Sequence, residues 1–427
     1  MELDDDPGAA AYALHTLSTS RYEAGDLPGA LEASRQALEI AMRTPEDNET
    51  VSLAYTSLAL CQCRLGEWPD ARDSLRLAVA QTEPGTDLRA DQLTRLRDVQ
   101  DTLGEQAEAL ATTTELVATT RKLAADDPDR LPDLASSLID LGTRLHGAQD
   151  YEAALQAMVE AASLLRSAGS SVELGDSLHN AAVIARILGR TDEALASARE
   201  AAETFQLLYD DDPDQAWALT RVLTFLGSTW EASGQFDQAI TSMERALGLL
   251  ERIYQPDDAD DVLSLASLLH NLSRYHEIEK RLDRSLTLMR RAVSLYSDLA
   301  EADPDRFRPR LADAWVSLGV YLWHTDELEE ACTAAQLAVD LCRAAGPTGD
   351  GGSLAHALAF LSDRTAALGD LPGAVELLQE AQEILEELAT RQPDPYLARL
   401  ALIRDVLAGR VAEAGAAGAV PVERSRA

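Results

Sequence analysis

The chain is short of positive charge and almost without lysine. Lys122 and Lys280 are its two lysines among 37 basic residues, set against 73 acidic ones, for a net charge of −36. Nucleic acid and anionic membrane surfaces are poor partners for such a molecule, because their phosphates are repelled. Aromatic residues make up 5% of the chain, and no stretch reaches the ~18 consecutive apolar residues that a membrane span needs. The start, Met1 to Asp6, is acidic and lacks the basic opening of a signal peptide. These absences predict a cytoplasmic protein, and the preference for arginine over lysine fits a GC-rich bacterial source. Four cysteines form no framework: Cys61 and Cys63 lie two apart, Cys332 and Cys342 ten apart, and neither spacing suits a disulfide or zinc site. Reduced thiols are expected.

Signatures of chemistry are missing too. A P-loop needs Gly-Lys before Ser or Thr, but Lys122 follows Arg121 and Lys280 follows Glu279. His276-Glu277 begins no His-Glu-x-x-His, and neither Gly-x-Ser-x-Gly nor Gly-x-Gly-x-x-Gly occurs. The aspartates at 210–212 and 257–261 lack the alternating ligands and central glycine of a calcium loop. No catalytic, cofactor-binding or metal-binding residue is assigned, and the expectation is a protein that is not an enzyme.

What the chain has is repetition. A small residue opens an amphipathic stretch after a tight turn nine times, at Ala30, Ala71, Ala109, Ala154, Ala194, Ala239, Ser285, Ala331 and Ala374. The spacings are 41, 38, 45, 40, 45, 46, 46 and 43 residues, a mean of 43. Such a period marks a solenoid, in which no single repeat can bury its apolar face alone. Each copy reads as two helices. In residues 175–208, Leu178, Ala181, Ala182, Ala185 and Leu188 form one stripe at helical spacing. Gly189 to Asp192 breaks it, with Thr191 or Asp192 expected as N-cap, and Ala194, Leu195, Ala198, Ala201, Ala202, Phe205 and Leu208 form the second. The small residue belongs where the helices cross, since a bulky one would wedge them apart. Ser242, three residues beyond Ala239, is expected on the outer side of its helix. Upstream, Leu-small pairs such as Leu141-Gly142, Leu226-Gly227 and Leu318-Gly319 mark the first helix, whereas the third copy has Leu96-Arg97 instead. Turns at Asp127-Pro128, Asp212-Pro213, Asp303-Pro304 and Gln392-Pro393 recur about every two repeats, and the Gly-rich stretch 346–352 is expected to be the loosest joint.

This combination resembles the tetratricopeptide repeat, in the long-repeat form similar to that of kinesin light chains and bacterial signalling proteins. The usual period of that family is 34 residues, so longer helices or loops must absorb the excess. The resemblance implies an all-α fold: a right-handed α-solenoid of about nine helix-turn-helix repeats plus a C-terminal capping helix. The expected organisation is an acidic segment over 1–8, the repeats over 9–395, a capping helix over 396–414 and a disordered tail over 415–427.

The resemblance also implies a concave groove lined by first helices, with a protein or peptide segment as partner. Helical periodicity places Asp176, His179, Asn180, Val183 and Arg186 on the groove side in the fifth repeat. In the sixth it places Arg221, Thr224, Ser228 and Glu231, and in the seventh Ser267, His270, Asn271, Arg274 and Glu277. The candidate site is His179, Asn180, Arg186, Arg221, His270, Asn271 and Arg274, with the two asparagines placed like those that bond a ligand's backbone in peptide-binding relatives. Three roles stay open: an interaction scaffold or adaptor, a sensor whose groove takes a small peptide or metabolite, and an accessory subunit of an enzyme such as a signalling NTPase or caspase-like peptidase.

Overall fold

The computed structural model describes residues 7–44, 47–167, 169, 171–344 and 351–418. Nineteen α-helices and two 3₁₀ turns account for the regular structure, with no strand among the described residues. The helices fall into two compact units that divide between Pro213 and Asp214. The N-terminal unit holds five antiparallel pairs: α1 (Pro7–Glu23) with α2 (Leu27–Ala41), α3 (Asn48–Leu65) with α4 (Trp68–Gln81), α5 (Asp87–Leu103) with α6 (Gln106–Asp126), α7 (Leu131–Gly147) with α8 (Tyr151–Arg166), and α9 (Val172–Ile187) with α10 (Thr191–Asp211). The C-terminal unit holds four: α11 (Ala216–Ala232) with α12 (Phe236–Ile253), α13 (Ala259–Ile278) with α14 (Leu282–Ala302), α15 (Pro304–His324) with α16 (Leu328–Ala344), and α17 (Gly351–Ala367) with α18 (Leu371–Arg391). Helix α19 (Pro393–Gly418) closes it against α18. Within each unit a pair packs on the next through its second helix, and neighbouring first helices also touch, as α7 does α9 and α13 does α15.

One turn builds all nine pairs. Five residues before each small residue the backbone enters the left-handed region, at Gly25, Gly66, Gly104, Gln149, Gly189, Gly234, Lys280, Asp326 and Gly369. The N–H of the following residue reaches back to close the first helix, as from Arg190 to the Ala185 carbonyl at 2.8 Å or from Arg281 to that of His276 at 2.8 Å. This is a Schellman closure, which satisfies the orphan carbonyls of the helix end. That same residue then caps the second helix, so the N-cap of α10 is Arg190, not Thr191 or Asp192. The closure leaves no room for a later start. Where the capping residue is aspartate, its carboxylate accepts an N–H of the first turn, as Asp26 does from Gly29 and Asp150 from Ala153.

The small residues sit four positions into the second helices and are wholly buried, each at 0% exposure. Twelve residues upstream, the first helix supplies their counterpart. Ser18 donates to the Ala30 carbonyl at 2.9 Å, and Ser362 to that of Ala374 at 2.8 Å. At Gly142 a Cβ would stand 2.9 Å from Met158 and 3.3 Å from the Ala154 carbonyl oxygen. Arg97 holds this place in the third pair and sends its guanidinium to Asp140 of α7, 2.9 Å away. Around these crossings lie fully buried side chains such as Leu93, Leu138, Leu223, Met243 and Leu250, each contributing roughly 1.5–3 kcal/mol relative to exposure.

Several local expectations change. Ser242 is 7% exposed, so the second helices bury more than one stripe; neighbouring pairs pack against their flanks. Gly351 and Gly352 belong to α17, and the remainder of the Gly-rich stretch lies outside the described residues. The closing helix starts at Pro393 rather than 396, because extended Gln392 (φ −141°) hands directly to a proline suited to a first helical position. It runs to Gly418, so residues 415–418 of the expected tail are helical, while 419–427 and 1–6 lie outside the described residues. All four cysteines are free thiols, with Cys61 buried and the others half-buried.

Candidate binding face of the first helices

The register also fixes how one first helix meets the next. A side chain ten residues before the small residue of one repeat reaches one eight residues before that of the previous repeat. In the N-terminal unit Arg144 grips Asp101 with two nitrogens, both at 2.7 Å, and also holds Asp140 at 3.0 Å. The pairing holds the Asp101 carboxyl below its ordinary range, the hydrogen bonds from Arg144 being the main cause. In the C-terminal unit the Tyr275 hydroxyl takes the place of Arg144 and donates to Glu231 at 2.7 Å. Burial, and then that bond, raise the Tyr275 phenol. One repeat on, the Tyr321 hydroxyl stands 3.5 Å from Ser273 Oγ, and His324 meets Glu277 at 3.3 Å. Between α15 and α17 the rung is aromatic: Arg364 lies over Trp323, 4.6 Å from the ring centre.

The expected groove residues divide between the units. His179, Asn180 and Arg186 share α9 in the N-terminal unit; Arg221 is on α11, and His270, Asn271 and Arg274 are on α13 in the C-terminal unit. His179 is a correction to the groove: at 7% exposure it belongs to the buried arc of α9, which also takes in Leu178, Ala181 and Ala182. The period of 3.6 sets His179 beside that arc, and the arc is wider than a single stripe. Asn180 is half-buried and lines a small pocket of about 110 Å³ with Thr143, His146, Met158, Val183 and Ile184. Arg186 and Arg221 are exposed, and each takes part in an interaction within the chain.

On α13 the charges are already paired. Arg274 holds Glu231 at 2.8 Å and lies over the Tyr275 ring at 5.4 Å. His270 Nε2 is 3.2 Å from Ser317 Oγ, with its ring edge-on to Tyr296. Burial first, and then Arg274, depress His270 to about 4, so its ring is neutral at pH 7. Asn271 is half-buried beside these groups. The amides of Asn180 and Asn271 occupy the same register, fourteen residues before the small residue, and neither bonds another side chain among the described residues.

The bridging residues Arg144, Tyr275, Tyr321 and Arg364 are absent from the expected site. Their fixed offset from the small residue was available to find them. No three histidine, cysteine or acidic side chains converge as a metal site among the described residues, and no described helix is long and apolar enough to cross a membrane.

No family model and no curated protein matches the chain. Solved structures do. The signal transduction ATPase with numerous domains (STAND) protein with a tetratricopeptide repeat sensor from Pyrococcus horikoshii superposes with a TM-score of 0.54 at 12% identity, over 88% of this chain and 55% of that one. The match thus spans about half the length of that protein. BtubC from P. vanneervenii follows at TM-score 0.42 and 19% identity, over 66% of this chain and 92% of that one. The C-terminal part of a TPR repeat-containing protein from Cytophaga hutchinsonii gives 0.44 and 14%, over 68% and 94%. The fold is that of the tetratricopeptide-repeat α-solenoid, as the sequence pattern predicts.

Proposed function

We propose that the chain is a protein-interaction scaffold whose first helices receive an extended segment of a partner. The observation that carries this reading is the pair Asn180 and Asn271. Both are half-buried, both stand at one register position, one in each unit, and both keep their amides unbonded among the described residues. A carboxamide offers a donor and an acceptor together, which matches a backbone N–H and C=O. Each unspent amide thus suits an external backbone lying along the first helices of its own unit. The fold supports the same reading, since solenoids of this kind present extended binding surfaces.

Arg274 contributes less than the sequence suggests. Its guanidinium is committed to Glu231, so an acidic group on the partner would have to displace that carboxylate. The chain's net charge of −36 suits a segment with basic residues on its flanks.

A combinatorial peptide library offered to the full chain tests the proposal. Recovered peptides should bind the Asn180→Ala/Asn271→Ala double variant at least tenfold more weakly, ~1.4 kcal/mol, at an unchanged melting temperature. Recovery of no peptide, or equal binding by the variant, sinks the reading. Native mass spectrometry showing a retained small molecule and no peptide affinity would favour the sensor role instead.

A further inference from the structure

Arg364 stands apart from the other bridging residues. In the N-terminal unit the same rung places Arg144 on the carboxylate of Asp101. In the last rung of the C-terminal unit the acceptor position holds Trp323, an indole with no charge to give. The Arg364 guanidinium is stacked between two rings, 4.0 Å from the centre of Phe360 and 4.6 Å from that of Trp323. Its Nε is buried with no hydrogen-bond partner. The neighbouring acid makes its contact elsewhere: Asp363 pairs with Arg410 of α19 at 3.3 Å. Arg364 thus makes no salt bridge among the described residues, and Asp363 acts on it only through space, in a chain with nearly two acidic groups for every basic one. Its burial, offset only in part by the charge of Asp363, holds the guanidinium below its ordinary range. Of its nitrogens only Nε is shut in, and the residue is half-buried, so the terminal amino groups remain within reach of solvent.

Two flanking rings hold a guanidinium plane in place and favour a cation there. A fixed fork with free terminal nitrogens is the geometry that grips a carboxylate. We propose that Arg364, clamped by Trp323 and Phe360, is a receptor for a carboxylate on the partner segment, supplied by its C-terminus or by an Asp or Glu side chain. The proposal rests on the segment-binding reading for its partner but not for its chemistry. It also supplies the acidic anchor that Arg274 cannot.

The first probe is sodium acetate, titrated into the full chain against sodium chloride at constant ionic strength. The Arg364 Nε–H resonance, assigned by its loss in Arg364→Lys, should move with acetate and not with chloride. The variant Trp323→Asp rebuilds the Arg144–Asp101 arrangement in cis and should silence the acetate response while leaving Arg364 in place. Peptides recovered from the library should lose at least tenfold in affinity on Arg364→Met, whose apolar stem still lies against both rings, with no fall in melting temperature. Remaking them as C-terminal amides, or with Asn and Gln for Asp and Glu, identifies the source by which form loses the same factor. An acetate-insensitive Arg364 overturns the receptor even if peptides bind. Recovered peptides that ignore both Arg364→Met and neutralisation overturn it as well. An acetate response without any recovered peptide leaves the receptor standing and removes the segment-binding reading. A melting point lowered by Arg364→Met with peptide affinity intact shows a structural stack and ends the proposal.

Discussion

The two units use one backbone and two kinds of side chain. Four of the five tryptophans and four of the five phenylalanines lie beyond Pro213, whereas the rung between α5 and α7 of the N-terminal unit is ionic. Arg97, Arg144, Asp101 and Asp140 neutralise one another between α5 and α7. In the C-terminal unit the same positions carry Tyr275, Tyr321 and the Arg364–Trp323 stack. The turn and the crossing fix the distance between first helices, so the rung can vary in chemistry without disturbing the fold. Stability therefore resides in the small residues, and the rungs are free to differ.

The largest expected effect tests that shared frame. Ala154→Arg and Ala239→Arg place a charged chain at equivalent crossings, both at 0% exposure. Each should cost roughly 2–4 kcal/mol through overpacking and an unpaired buried charge. Thr241→Arg, exposed on the same helix as Ala239, should stay within about 0.5 kcal/mol of neutral. Chemical denaturation of the three variants measures this. Unequal costs at the two alanines would break the claim that the units share one frame.

That frame was legible in the sequence, because a residue compatible with a helix crossing is nearly always Ala, Ser or Gly, and nine of them kept step. The rungs were harder to read. A groove stripe drawn from periodicity alone treats polar residues as facing solvent, and it cannot show that His179 falls inside a widened buried arc or that Arg274 is spent on Glu231. Arg364 escaped notice because its meaning lies in what faces it, and Trp323 is 41 residues away. Similarly, the N-cap of α10 depended on the Schellman closure, which outweighs the capping preference of Thr191 or Asp192.

Acid should separate the units next. His270 is depressed to about 4 from an ordinary 6.5. Between those values the unfolded chain binds the proton and the folded chain does not, so stability is full above pH 6.5 and falls as pH drops toward 4. The loss reaches about 2–3 kcal/mol at the lower end. Asp101 behaves differently. Its folded carboxyl lies below the ordinary range, so its contribution persists above that range and fades only as pH falls through the depressed value. His15 on α1 and His276 on α13 are also depressed by burial, which makes a local readout necessary. Hydrogen-exchange protection, measured against the intrinsic rate at each pH between 6.5 and 4.5, should fall in α13 while that of α7 holds, and His270→Gln should remove part of the α13 slope. An equal loss of protection in α7 and α13, unaltered by that substitution, would erase the distinction.

The smallest expected effect concerns the turns, where the units differ in how many strained residues they carry. Six of the nine left-handed positions hold glycine. Gln149 is the exception in the N-terminal unit (φ 63°), and Lys280 (φ 61°) and Asp326 (φ 66°) are those of the C-terminal unit. An L-residue with a Cβ is crowded in this region by about 1 kcal/mol, and aspartate less so because its short polar side chain suits it. Glycine relieves the crowding but gives back some stability through the freedom it gains on unfolding. Gln149→Gly and Lys280→Gly should each stabilise by roughly 0.5 kcal/mol, and Asp326→Gly by less. Losing the contact of Lys280 with Glu277, 4.0 Å long and made by an exposed lysine, should subtract little. The reverse change, Gly234→Ala, should cost about 1 kcal/mol. Combining Lys280→Gly with Asp326→Gly should raise the melting midpoint of the C-terminal unit more than Gln149→Gly raises that of the N-terminal one. Gains of the same size at all three positions would mean that the left-handed backbone alone, and not side-chain identity, sets the cost of these turns.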